Sequence, residues 1–487
     1  MFLLEPRVLA YAAAAYVAFA IVKTIYLGFT NPRSHIPGPW YARFTGLVHN
    51  ITRVAASKHR WTQRLHEKYG PIVLIAPNEV TISHPEVHHK IHAMGSGFYK
   101  GPLYDSVDGG RARSLFSMRD PKEHAQRRKL FSRAFTQVSL RENWEPTVRQ
   151  MVNLAIDQIK HDAELGTADV YKWWHLLTSD VISTLSFGES FHMLEAGEKT
   201  EYFSALKYAG MQIILKLVFG RALPLFGYLP FETFRKMTSA NKIIYNQGTR
   251  AVENLRQERP ECRNLFSDML SMAESGTKAE LTDDAIRSEV ANMIIAGTDT
   301  TAVALTYIIW AVVKRPELRK RLEEEVAKLP PNFKDEDVER LPLLTQVIEE
   351  TLRLYNPGAA PLQRAVPRGG TTLLGLYLPE GSLVTTLNWN LHREKNAFPN
   401  PEEFDETRFE NPTPEIKAAY NPFMIGSRSC IGMHLAKMEL RLATAQFFRE
   451  CRGAKPSKNM TDEMMVQKMQ FFMFPVGGKC EITLRSD

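Results

Sequence analysis

The sequence predicts a mainly α-helical chain with small β-sheets, preceded by an N-terminal transmembrane helix. Three observations carry that expectation: an apolar run near the N-terminus, two short stretches of β-branched alternation, and several long segments with helix start and stop signals. No Gly/Ser-rich or low-complexity stretch divides the 487 residues after the N-terminus, so residues 41–487 are expected to form one large unit.

From Val8 to Phe29 the chain reads VLAYAAAAYVAFAIVKTIYLGF, about long enough to span a bilayer, with Lys23 as its only charge. A cleaved signal peptide is disfavoured by the missing basic n-region, and a soluble amphipathic helix by apolar residues on every face. Residues 1–30 are therefore expected to be a single-pass membrane anchor. Lys23, Arg33 and His35 end or follow the span, whereas only Arg7 precedes it, offset by Glu5; this charge bias puts the rest of the chain in the cytosol. Residues 31–40 close on His35-Ile-Pro37-Gly38-Pro39-Trp40, where prolines around a glycine make a stiff, extended hinge.

Beyond the hinge, Pro71–Ser83 and Thr371–Thr386 carry the strand signals. Asp283–Lys314 is the longest helical segment, started by Thr282-Asp-Asp and stopped by Pro316; its apolar centre requires burial or lipid. The Asp299 within it argues against lipid. Pro342–Leu354 and Met433–Glu450 are the next clear helices. The formal net charge of +7 suits an acidic partner or an anionic membrane surface. Without a concentrated basic tract interleaved with aromatics, no nucleic-acid partner is expected. The four cysteines, Cys262, Cys430, Cys451 and Cys480, have neither paired zinc spacing nor a Cys-x-x-Cys-His attachment, and their scatter suits a reducing compartment.

Cys430 sits in the string Phe423-Met-Ile-Gly426-Ser-Arg428-Ser-Cys430-Ile-Gly432. A lone cysteine is ordinarily a small buried hydrophobe, but this spacing is suited to presenting one thiolate to a haem iron. Glycines at 426 and 432 are expected to keep side chains and backbone N–H groups away from the sulfur. The helix starting at Met433 puts a positive helix end beside it, which favours the ionised form. Arg428 is the natural partner for a haem propionate, a guanidinium pairing with a carboxylate. In Ala296-Gly297-Thr298-Asp299-Thr300-Thr301, Gly297 removes a side chain from one helix face, and threonine hydroxyls bonding their own helix make a local kink and polar groove available.

The string around Cys430 resembles the haem-binding signature of the cytochrome P450 monooxygenases, and the likeness extends over nearly the whole chain from the Ile36-Pro-Gly-Pro-Trp40 hinge onward. The resemblance implies the cytochrome P450 fold, haem b as cofactor, and Cys430 as axial thiolate ligand of its iron, with Phe423 in the haem-binding loop. Thiolate ligation favours O–O cleavage. The Ala296–Thr301 motif matches the family's oxygen-binding helix, so Gly297 is expected against the haem, and Asp299 and Thr300 inherit a proton relay. Glu350-Thr-Leu-Arg353 by itself is only a pair sharing a helix face. Its position before Leu354-Tyr-Asn-Pro357 matches the family pair that locks the haem loop, with Arg408 in Glu406-Thr-Arg-Phe409 as third member; the family's usual proline and glutamate are replaced there. His124 and Arg128, one turn apart, match a propionate-binding pair, and Arg364 matches another propionate arginine. Arg127 and Lys129 read as solvent- or partner-facing charges.

Family topology puts substrate contacts at Phe98–Phe116, Met211–Phe219, Met293–Ala296, Gly358–Leu362 and Gln470–Phe474, segments rich in Met, Phe, Ile and Leu. An apolar small molecule and O2 are thus the expected substrates. The chain carries no flavin or nicotinamide motif, so an NADPH-cytochrome P450 reductase is expected to dock near Lys129, Arg133 and Lys437. The texture of the chain is most similar to fungal microsomal members of secondary metabolism, implying an endoplasmic reticulum membrane protein. A haem-thiolate isomerase or dehydratase and a haem sensor or electron carrier are the competing classes. Asp299-Thr300 argues against both, since neither requires staged protonation of bound oxygen.

Overall fold

The computed structural model describes residues 6–107, 112–198, 200–220, 223, 232–256, 264–266, 282–358 and 361–484. The chain enters through α1 (Pro6–Thr30), then α2 (Leu47–Val54), α3 (Lys58–Tyr69), β1 (Ile72–Ala76) and β2 (Glu79–Ile82). Next come α4 (Pro85–His92), β3 (Tyr99–Lys100), α5 (Pro121–Ser132), α6 (Glu145–Leu165), α7 (Val170–Phe187), α8 (Glu201–Phe219) and α9 (Glu232–Arg256). The site-bearing half holds α10 (Asp283–Val313), α11 (Pro342–Leu354), β4 (Leu362–Ala365), β5 (Leu383–Thr386), α12 (Met433–Glu450) and the hairpin of β6 (Gln467–Met469) with β7 (Met473–Pro475).

α10 is the axle of the helical core. Thr282 caps it by accepting the Ala285 N–H, and Asp283 and Asp284 complement the positive end of its dipole. From Thr301 to Val313 every residue is buried, because α7, α9, α11 and α12 pack around it. The helix is continuous from Asp283 to Val313, with Thr300 Oγ1 bonded to the Ala296 carbonyl of its own helix. Gly297 permits close packing of two helices. A Cβ there would lie 2.9 Å from Ile182 Cγ1 of α7. Beside that contact, Thr178 donates to the Thr298 carbonyl at 2.9 Å, which ties α7 to α10 where their backbones approach.

A mixed sheet of order β1-β2-β5-β4-β3 covers one side of this core. β2 and β5 run parallel, while the other pairings are antiparallel. The inward Ile72, Leu74, Val80, Ile82 and Val384 form a small core of their own with Ile36. Residues 31–40 are held on this sheet: Asn31 donates to Pro77 O at 2.8 Å, Arg33 to Ser382 Oγ at 2.7 Å, and Leu74 N–H to Pro37 O at 2.8 Å. Among the described residues two helices are long and apolar enough to cross a membrane. α10 is mostly buried inside the protein, whereas α1 is almost entirely exposed, so only α1 has its apolar surface free for lipid.

Candidate active site

One cavity of about 980 Å³ lies between α10, α12, α5 and the sheet, and Cys430 lines it. Cys451 and Cys480 are buried in helical packing instead, and Cys262 falls outside the described residues. The loop that presents Cys430 has little regular structure of its own, so backbone contacts fix it. Cys430 N–H donates to Phe423 O at 2.8 Å, with Met424 at φ 62° and Gly426 at φ 71° making the turn between them. Both Phe423 and Cys430 face the cavity.

Gly426 has a packing task that the local sequence does not show. A Cβ on Gly426 would sit 2.1 Å from the His92 carbonyl at the end of α4, so this glycine lets the loop seat against α4. Gly432 has ordinary φ and ample room, since a Cβ there would come no nearer than 4.0 Å to Cys430 Sγ. Burial pushes the Cys430 thiol above its ordinary value, and the Gly432 backbone N–H and the Arg128 charge oppose that rise.

Basic side chains crowd the same end of the cavity. His124, Arg128, Lys100 and Arg428 all line it, while Arg364 stands one layer behind, donating to Tyr104 Oη at 3.2 Å. Arg428 reaches back to Met118 O at 2.7 Å and Arg119 O at 3.2 Å; Arg128 reaches forward to Ser429 O at 2.7 Å. None of the three arginines hydrogen-bonds a carboxylate among the described residues. His124 is buried, and its imidazole is lowered to about 3, by burial first and then by Arg428, Lys100, Arg128 and Arg364. It is therefore neutral at physiological pH. Arg127 is not the solvent-facing charge its sequence context suggests. It pairs at 3.0 Å with Glu289 of α10, a fully buried carboxylate that also accepts the Leu115 N–H.

Across the cavity, α10 presents Ala296, Gly297, Thr300 and Thr301. Thr300 Oγ1 donates to Ala296 O at 2.6 Å. Asp299 is directed toward α7, where its Oδ1 lies 3.6 Å from His175 Nε2, a buried imidazole whose Nδ1 is 2.7 Å from Tyr171 O. Burial and then the Asp299 charge hold the Tyr171 phenol above its ordinary value.

Glu350 and Arg353 on α11 are completely buried and joined by two bonds, Nε–Oε2 at 2.7 Å and Nη2–Oε1 at 2.8 Å. The remaining Arg353 donors go to the carbonyls of His392, Pro401 and Glu403, at 2.8–2.9 Å. Arg408 Nε lies 3.5 Å from Glu350, which also accepts the Asp405 N–H. Burial raises the Glu350 carboxyl, and Arg353 opposes that rise. This node ties α11 to the segment leading to the cysteine loop.

All five segments expected to contact substrate contribute to the cavity wall, although residues 108–111, 359 and 360 within or beside them lie outside the described residues. Sequence reasoning missed Lys100, whose ammonium donates to Phe116 O and lies over the Tyr104 and Phe116 rings. It missed His175 as well. The i, i+4 spacing of Tyr171 and His175 was the available signal, and it names no partner.

The cytochrome P450 family model matches residues 36–481. Similar proteins include the cytochrome P450 monooxygenase tazI of Aspergillus terreus, 40% identical over 97% of this chain and 98% of that protein. Cytochrome P450 monooxygenase stcB of Emericella nidulans is 39% identical over 95% and 91%, and the Dothistroma septosporum monooxygenase cypX 37% over 99% and 96%. The chain belongs to the cytochrome P450 family. It is accordingly an oxygen-incorporating oxidoreductase whose cofactor is haem, its iron held by an axial cysteine thiolate. The residues present fit that group: one thiol faces the cavity, and beside it stand guanidinium groups without carboxylate partners, as two propionates require.

Proposed function

We propose that Cys430 is the axial ligand and that Arg128, Arg428, His124 and, through Tyr104, Arg364 hold the propionates. The carrying observation is that a cysteine, a carboxylate-free cluster of basic side chains and the Thr300 hydroxyl line one cavity. Bound at that sulfur, haem supplies one-electron and O2 chemistry, and a thiolate favours O–O cleavage over oxygen carriage. Thr300 lines the cavity and its Oγ1 donates to Ala296 O, so rotation of the hydroxyl redirects its proton to an acceptor in the cavity. Asp299, 3.6 Å from His175, is the group that replenishes that proton from the α7 side. Glu350, Arg353 and Arg408 lock the haem loop.

In this reading O2, two electrons and two protons convert an unactivated C–H bond or alkene of an apolar biosynthetic intermediate, a polyketide, terpenoid or alkaloid of fungal secondary metabolism, into an alcohol or epoxide, the second oxygen atom leaving as water. A relative from Cladonia uncialis, 34% identical over 77% of this chain, is named methylphloroacetophenone oxidase, which supports an aromatic polyketide. An NADPH-cytochrome P450 reductase supplies the electrons, meeting exposed Lys129 and Arg133; Lys437 already pairs with Glu349 at 3.0 Å. α1 anchors the protein in the endoplasmic reticulum membrane, with the haem domain in the cytosol. Exposed Trp40, Leu47, Ile51 and Val54 extend the apolar surface beyond α1, which supports that orientation.

Cys430→Ser should abolish the thiolate-type Soret band of the reduced carbon monoxide complex, and a band that survives would remove the ligand assignment. Thr300→Ala should lower the fraction of NADPH oxidation that yields product; unchanged coupling would remove the relay.

A further inference from the structure

We propose that the end of the cavity bordered by Arg53 and Lys58 binds an organic oxyanion carried by the substrate, a carboxylate or the anion of an acidic phenol. This deepens, and rests on, the reading of the cavity as the substrate site.

Arg53 in the last turn of α2 and Lys58 at the start of α3 line the same cavity as Cys430. Lys58 is 1% exposed, an unusual place for a lysine without a close partner. The carboxylate facing both is Glu79 of β2, but at 3.8 Å from Lys58 Nζ and 3.9 Å from Arg53 Nη2 it is beyond hydrogen-bond reach of either. Its oxygens are taken by neutral donors instead: Thr385 Oγ1 at 2.8 Å and Gln363 Nε2 at 3.0 Å. Among the described residues, Lys58 Nζ and Arg53 Nη2 are consequently buried with no hydrogen-bond partner.

Charge counting gives the same result. The Arg53 guanidinium and, when protonated, the Lys58 ammonium face one carboxylate; His49, the other titratable group in the cluster, is held well below its ordinary value by burial and then by Lys58, so it adds no charge. Burial, followed by the Arg53 charge, lowers the Lys58 ammonium to about 7. A buried cation held off from its only facing carboxylate is costly, a cost an apolar residue of similar size would avoid. An anion entering from the cavity supplies the missing partner. Along the rest of the wall, Ile213, Leu217, Met469 and Phe471 are apolar, so the ligand that fits is an apolar body with one acidic end.

Equilibrium dialysis of the full-length holoenzyme near neutral pH tests this with octanoate against methyl octanoate and octanol, and with an acylphloroglucinol against its fully O-methylated ether. The acid of at least one pair should bind about 10–100-fold more tightly than its neutral counterparts. Preference in the first pair alone identifies a carboxylate; in the second alone, a phenolate. In the Arg53→Met/Lys58→Met double variant the preference should vanish while the neutral ligands bind as before, and Lys58→Arg should retain it. Equal binding of acid and neutral forms by the unaltered enzyme, or a preference that survives the double substitution, overturns the proposal. Dialysis counts bound ligand whatever the haem spectrum does, so failure here is separate from failure of the Cys430 assignment.

Discussion

Glu350 and Glu79 are both buried carboxylates facing arginines, and their surroundings complete them differently. At Glu350 the partner Arg353 directs each of its donors to an acceptor at 2.7–2.9 Å, two on the carboxylate and three on carbonyls of the segment that follows His392. Around Glu79 the near donors are a threonine and a glutamine, and the two cations stand off at 3.8 and 3.9 Å. A saturated ion pair has nothing left to offer a ligand and acts as a joint. An unsaturated one retains binding capacity at the expense of stability. The contrast separates scaffold from recognition inside one protein.

Four measurements can break or sharpen it, in descending size. Arg353→Lys keeps the charge but loses the fork, and should cost about 3–5 kcal/mol in thermal or denaturant unfolding of the holoenzyme, with loss of haem content. A nearly unchanged Tm would mean that the node is not the joint described. Gly426→Ala should cost roughly 2–4 kcal/mol, since it combines positive φ with a Cβ pressed on the His92 carbonyl, whereas Gly432→Ala should cost under about 1 kcal/mol. The reverse order would mean that the seat on α4 is not what requires Gly426.

The third concerns pH. His392, in the Arg353 node, faces Arg353 O through Nδ1 at 3.0 Å and accepts the Asn421 N–H on Nε2 at 3.0 Å, so its neutral form is the bound one. Burial holds it at about 3. Because the folded value lies below the unfolded one, the unfolded chain binds the extra proton; this stability is present above about pH 6.5 and is lost as pH falls toward 3. The loss at pH 5 should be on the order of 2 kcal/mol. A His392→Asn variant should show a flatter acid limb, and an identical slope would exclude His392 as a source. Last and smallest in cost, Lys58→Met should leave unfolding stability undiminished or raise it, since it removes a buried ammonium without a hydrogen-bond acceptor and leaves Glu79 its two neutral donors. A loss comparable to that of Arg353→Lys would make the Glu79 cluster a joint too, ending the distinction.

Much of the frame is visible in the chain because it rests on local signals. Met433–Glu450 and Pro342–Leu354 are helices with the boundaries that their caps and prolines indicate, and β1, β2 and β5 fall inside Pro71–Ser83 and Thr371–Thr386, whereas β3, β4, β6 and β7 lie outside both. What local signals miss are pairings across the fold. Arg127 finds Glu289 over 162 residues, and Gln363 finds Glu79 over 284, so neither partner leaves a trace in the other's neighbourhood. Gly297 and Gly426 were visible as glycines, but the atoms that require them, Ile182 and His92 O, belong to other elements. Asp299 shows the same limit: its motif marks it, yet only the packing of α7 on α10 brings it to His175.

The two arginines beside the cysteine loop grip in opposite directions. Arg428 leaves the loop to hold the backbone before α5, and Arg128 leaves α5 to hold the backbone of the loop. Such a reciprocal clasp is redundant: with either arm cut, the other still fixes the spacing between α5 and Ser429. Single losses should therefore be buffered and the double loss disproportionate. A loop with almost no secondary structure thereby acquires the fault tolerance of a doubly fastened one.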